Sequence, residues 1–305
     1  MPTPMSCRRA PLLLFALVLA TPAAPRAAGV ALDRYRGAPL ADDGLALSRP
    51  GDLGHLRWGV RLDFDYAMDP LVWEAHQGSS SSEVGPIVEH QVVGRLTGAL
   101  GLIDRLVLYL GLPVNLLMAG NEYPGAPQPG GSSVGDLFAG LRGRIWGERD
   151  DLFAIAAQAT LTVPTAELAD DGQSFAGDWT IGGDVLLLLE LRWRWMVVTA
   201  DLGGRFRRPA ELGSVEVGQE FLWGLGLTVP ALPGALEAYL EAYGTTTFAS
   251  FGERELSPVE LLGGVRVWAR EGLSVALAAG SGLGTRGYGA PDVRGVLCFG
   301  WSAPP

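Results

Sequence analysis

The sequence predicts an all-β protein: a closed antiparallel transmembrane barrel of about 12 strands, with both termini on the periplasmic side. Three observations lead there. First, residues 55–66 read HLRWGVRLDFDY, with Leu56, Trp58, Val60, Leu62, Phe64 and Tyr66 on one face and Arg57, Arg61, Asp63 and Asp65 on the other. A period of two over that length is a strand long enough to cross a bilayer, which takes about 9–11 tilted residues. Second, similar segments recur, joined alternately by short and long connections, as in outer-membrane barrels. Third, hydropathy is high, yet after the first 28 residues no run of apolar residues is long enough for a spanning helix.

The chain opens with Arg8 and Arg9, an apolar run through Leu12–Ala20 and small residues up to Ala28. This predicts a secretory leader over 1–28 and export to the outer membrane. Cys298 would then be the remaining cysteine, which excludes an internal disulfide and a cysteine-built metal site. Net charge is −10, and every one of the 23 basic residues is arginine, a balance that argues against nucleic acid.

Residues 29–54 carry Pro39, Pro50 and scattered charges without a period, and read as an irregular lead-in or plug before a barrel over 55–302. The strands are expected near 55–66, 90–101, 105–117, 134–146, 151–164, 179–192, 195–208, 214–229, 235–245, 258–268, 272–282 and 290–301. Tight turns fall at Leu102–Asp104, Gly147–Asp150, Trp193–Arg194, Pro230–Gly234 and Ala269–Glu271. Longer connections, expected outside, are 67–89 with its serine run Ser79–Ser82, 118–133, 165–178, 209–213, 246–257 and 283–289. Pro113 falls inside the third strand, where a missing donor implies a bulge or the rim.

Charge parity is the sharpest signal. Asp136, Arg142 and Arg144 oppose Leu137, Leu141 and Ile145; Asp184 and Glu190 oppose Val185, Leu187 and Leu189. Asp201, Arg205 and Arg207 share a face, as do Glu216 and Glu220, Glu237 and Glu241, Glu260 and Arg266, and Asp292 and Arg294. With Arg57, Arg61, Asp63, Asp65 and Arg95, these are the expected lumen-lining charges. An arginine facing lipid near the midplane would cost about 2–4 kcal/mol. Trp58, Trp193, Trp195 and Trp301 lie near tight turns and are expected to form an aromatic girdle at one interface; Trp146 and Trp268 have inward parity.

Several phrases carry a family resemblance: HLRWGVRLDFDYAMDPLV at 55–72, GLIDRLVLYLGLPVNL at 101–116, VGDLFAGLRGRI at 134–145, LTVPTAEL at 161–168 and RGYGAPDVRGVLCFGW at 286–301. Together they resemble the barrel half of the OmpA-type outer-membrane proteins of myxobacteria and their relatives. Such proteins often continue into a peptidoglycan-binding domain. The sequence ends four residues after Trp301, so that domain's cell-wall anchoring is not expected of it.

No spacing marks an activated group. His55, His76 and His90 sit at strand ends or in the first long connection, and Gly224-Leu225-Gly226 lies within an alternating strand with no helix after it, which fails the context of a nucleotide fingerprint. No catalytic residue, metal site or cofactor is expected. The mixed inward charges imply ion-paired ladders across the lumen, since a buried charge must be paired. The expected role is therefore a non-enzymatic outer-membrane barrel with a largely occluded lumen and a structural part in the envelope. The alternative is a narrow porin-like channel or transporter for small solutes, and the least favoured reading is an outer-membrane hydrolase. Expected partners are outer-membrane lipid and lipopolysaccharide and the barrel-assembly machinery.

Overall fold

A computed structural model describes residues 29–77, 80–123, 129–148, 151–169, 175–178, 180–212, 215–269, 272–284 and 288–303. The leader expected over 1–28, Ser79 and the turn residues Arg149, Asp150, Arg270 and Glu271 lie outside the described residues.

Twelve long strands form one antiparallel sheet closed on itself. They are β1 (Trp58–Gln77), β2 (Ser80–Ile103), β3 (Leu106–Gly120), β4 (Leu137–Trp146), β5 (Phe153–Val163) and β6 (Gly182–Trp193). The second half comprises β7 (Met196–Phe206), β8 (Glu220–Leu232), β9 (Leu236–Thr247), β10 (Val259–Trp268), β11 (Leu273–Gly282) and β12 (Val293–Ser302). Each strand pairs with its sequence neighbour, and β1 closes the barrel by pairing with β12 from Gly59↔Ser302 to Met68↔Val293. Closure leaves no open edge in the wall. The register follows the alternation: Leu108, Leu110, Leu141, Val185, Leu187, Leu225, Val265 and Leu277 stand exposed outside, while Arg61, Asp63, Arg142, Glu241, Arg266 and Arg294 are buried inside.

Four expectations are corrected. The connection expected over 67–89 is mostly strand, because β1 and β2 continue as a hairpin out to Gln77↔Ser80. Three register shifts between Met68 and Glu74 accommodate Pro70, Pro86 and Asp69, whose φ is 51°. The strand expected from 214 begins at Glu220; Val215–Val217 instead pairs with Ala210–Leu212 in a separate small hairpin. Glu216 there is exposed while Val217 is buried, so Glu216 does not line the lumen. Asp292 likewise precedes β12 and is exposed at the rim. Trp146, inward by parity, is 67 % exposed, because a bulge between Arg144 and Trp146 restarts the alternation. Pro113 sits just past the point where the β3–β4 ladder ends at Gly111↔Phe138, so its missing N–H breaks no bond there. Within 165–178 a short helix, Thr165–Ala169, occupies the start of the connection.

The interior is filled by residues 29–54. Tyr35, Leu45, Ala46 and Leu47 pack against Tyr239, Tyr243, Leu262, Ala276, Val296 and Cys298. At the long-connection end Val30 and Leu32 join Leu71, Ile87, Met118, Phe175 and Tyr288; at the tight-turn end Leu40 and Leu53 meet Ala99 and Val107. The segment thus runs the length of the lumen and hands over to β1. Gly224 permits this approach, because a Cβ on it would lie 2.2 Å from Leu47 Cδ2.

Candidate functional site: the filled lumen

The inward charges of the strands hold the N-terminal segment largely by its backbone. Arg61 donates from Nη1 to the Gly44 carbonyl at 2.8 Å and from Nη2 to that of Leu45 at 2.7 Å, while its Nε bonds Asp63. Arg266 donates to the carbonyls of Asp43 and Gly44. Glu241 accepts from the amides of Leu45 and Ala46 at 2.8 and 2.7 Å, and more distantly from Leu47. Asp201 Oδ2 accepts from Ser48 N at 2.9 Å. A carboxylate receiving two or three backbone N–H groups fixes a turn whose own backbone bonds include Ala38 N to Leu45 O, Asp43 N to Leu40 O and Gly44 N to Leu47 O.

Side-chain pairs add to this. Arg142 makes a two-pronged bond to Asp43, both contacts at 2.8 Å, and Arg49 pairs with Glu190. Arg34 reaches Glu220 at 3.1 Å, and Arg95 reaches Asp33 at the same distance. Arg294, wholly buried, is shared among Glu260, Asp65 and Asp33. Asp184 and Arg205 instead pair across the wall, from β6 to β7, at 2.9 and 3.0 Å.

A polar cluster sits at each end. At the long-connection end Arg207 donates to Asp178 at 2.6 Å and to the Tyr288 hydroxyl at 2.8 Å, and that hydroxyl donates to Glu220 at 2.7 Å. The Arg34 guanidinium lies 3.7 Å from the centre of the Tyr288 ring. Burial alone would raise the Asp178 carboxyl, but Arg207 and Arg205 beside it hold it below the ordinary range. Asp136, just before β4, accepts from the amides of Ala166 and Asp178 and braces the connection. At the tight-turn end Arg144 pairs with Asp52 and Glu148, and Arg57 lines the same open mouth. Glu237 accepts from the Tyr239 hydroxyl.

The four tryptophans expected to form a girdle, Trp58, Trp193, Trp195 and Trp301, sit at the tight-turn end, with Trp58 and Trp301 at 4.4 Å between ring centres. His55 bonds the Leu102 carbonyl through Nδ1; His90 bonds the Tyr66 hydroxyl and has the Glu89 carboxylate 3.8 Å from its Nε2. Among the described residues no group of three or more His, Cys, Asp or Glu side chains could hold a metal ion.

Parity reasoning alone missed the partners supplied by the segment and loops: Asp33, Arg34, Asp43, Arg49, Asp178 and Tyr288. For the four in the segment the signal was the density of charge over 33–52; Asp178 and Tyr288, in the connections, carried none.

No protein-family model matches the chain, and no curated protein matches it. Solved structures do. An outer-membrane channel from Pseudomonas putida F1 superposes with a TM-score of 0.61 at 13 % identity, over 85 % of this chain and all of that one. The NanC porin does so with a TM-score of 0.50 at 9 % identity, over 81 % of this chain and all of that one. What these proteins share with this chain is the fold, an outer-membrane β-barrel.

Proposed function

We propose that this protein is an outer-membrane channel for ions and small polar solutes, and that residues 29–54 are its resident plug. One observation carries the reading: Arg142, Glu190, Asp201, Glu241 and Arg266 bond the N-terminal segment and not one another, with Gln158 and Arg192 as further wall partners of Arg142 and Glu190. A wall built only to be filled would be served as well by apolar side chains, since replacing buried ion pairs with packed apolar groups is often neutral or stabilising. This wall is polar beneath its plug, and water could replace the segment's bonds. That the two superposed proteins are named a channel and a porin is in keeping with it. A leader over 1–28 would export the chain, the tight turns would face the periplasm, and the longer connections would face lipopolysaccharide. The OmpA-type resemblance enters only as support for the barrel.

A second reading keeps the barrel permanently shut with a structural role, favoured by the Arg294 cluster, in which one guanidinium serves three carboxylates with no exposure to solvent. Single-channel recording on the refolded protein, with and without residues 29–54, separates the two. Currents that rise when the segment is removed support a plugged channel; silence from a folded truncated barrel supports the structural reading.

A further inference from the structure

We infer that the solute route runs along one side of the lumen, between the plug and strands β3–β7, and that an ion-pair layer centred on Arg142 and Glu190 closes it partway. The inference rests on the channel reading above and assigns its path and its barrier.

The middle of the plug is held to one side. Its backbone at 43–47 is held by Arg61, Glu241 and Arg266, and Tyr35, Leu45, Ala46 and Leu47 pack on β9–β12. Two cavities remain beside it, one against the opposite wall and one at the tight-turn mouth. One, of about 140 Å³, is lined by Arg36 and Ser48 of the plug and by Tyr109, Thr160, Asp184 and Asp201 of the wall. The other, of about 650 Å³, opens at the tight-turn end and is lined by Asp43, Arg49, Asp52, Arg144 and Arg192 among others.

A single layer of side chains separates them. Arg142 donates from Nε to Gln158, which lines the inner cavity, and from Nη1 and Nη2 to Asp43, which lines the outer one. Its Nη1 also reaches the Arg49 carbonyl, and the Arg49 side chain is anchored on Glu190. The inner cavity keeps bonding capacity to spare, because Arg36 Nη1 and Asp201 Oδ1 have no hydrogen-bond partner among the described residues. Releasing the Arg142 layer would join the cavities without displacing the plug from the other wall.

The test places cysteines on both walls of the full-length protein in a Cys298→Ser background: Thr160→Cys in the inner cavity, and Ala276→Cys beneath the packed side of the plug. A small charged methanethiosulfonate reagent is applied in detergent and during bilayer recording, with and without Arg142→Gln. The inference expects faster modification at 160 than at 276, a several-fold further rise at 160 alone when Arg142 is replaced, and current block through 160 only. Equal rates at the two positions, or faster reaction at 276, overturn it. So does modification at 160 that leaves an existing current unblocked, which would place the cavity off the route while the channel reading stands. Absence of current from the full chain and from the Arg142→Gln variant would instead remove the channel reading, and this inference with it.

Discussion

Asp43 receives both terminal nitrogens of Arg142 at 2.8 Å, across 99 residues of sequence. The same carboxylate accepts from the amides of Leu40 and Arg49, each at 2.9 Å. One side chain therefore folds the plug's turn and ties that turn to the wall. The arrangement makes plug conformation and wall charge a single coupled system, and several outcomes follow from it.

Arg294→Ala should be the most damaging wall substitution. It leaves Glu260, Asp65 and Asp33 without their shared cation in a site closed to solvent. Breaking a buried pair costs about 3–5 kcal/mol. Urea unfolding in detergent should show a loss of that order, whereas Arg105→Ala, which removes an exposed pair with Glu148, should cost under about 1 kcal/mol.

Glu241→Gln should loosen the plug and spare the barrel. The substitution leaves one acceptor where two carboxylate oxygens now serve Leu45, Ala46 and Leu47. Hydrogen exchange over residues 44–48 should accelerate by an order of magnitude or so, as expected for about 1–2 kcal/mol lost from charge-assisted bonds. Exchange in the strands should stay as it was; a global acceleration would show that plug and barrel open as one unit.

The Asp136 carboxyl gives a pH dependence. Burial pushes it up to about 7 from an ordinary 3.8, against the opposing pull of the Ala166 and Asp178 amides. Because its folded value is the higher one, its contribution to stability is greatest below the unfolded value and falls as pH rises from about 4 to about 7. Unfolding midpoints should drop across that window, and Asp136→Asn should flatten the drop. A midpoint that rises through the same window in the wild type alone would contradict the assignment.

Much of the wall was legible in the sequence, because side chains alternate strictly between two solvents and an inward arginine cannot be mistaken for a lipid-facing one. Arg61, Arg142, Asp201 and Arg294 all fall on the buried face that parity assigns them. The failures lie where the period is interrupted: at the bulge before Trp146, in the small hairpin that carries Glu216, and through Ser80–Val88, where serines and Pro86 read as loop but pair as strand. That residues 29–54 plug the lumen stood as one of two readings, but how the wall holds them was not legible, since they have no period and their partners lie up to 261 residues away. Only the folded chain shows that Asp33, Asp43 and Arg49 are the other halves of pairs that parity left open.

Orientation can be read by labelling. The proposed topology puts Asn121, exposed beyond β3, outside the cell and Glu148, exposed in a tight turn, in the periplasm. In a Cys298→Ser background, an impermeant thiol reagent on intact cells should label Asn121→Cys and leave Glu148→Cys unreacted. The reverse pattern would invert the barrel.

On the channel reading, the N-terminal segment is what stands between this barrel and conduction. The decisive measurement is single-channel conductance of the refolded protein lacking residues 29–54, recorded beside the full chain. Small or rare currents are expected from the full chain and steady, several-fold larger ones from the truncated barrel, once heat-modifiable migration has shown both to be folded. Equal currents from the two proteins, or none from the truncated barrel, would contradict that reading.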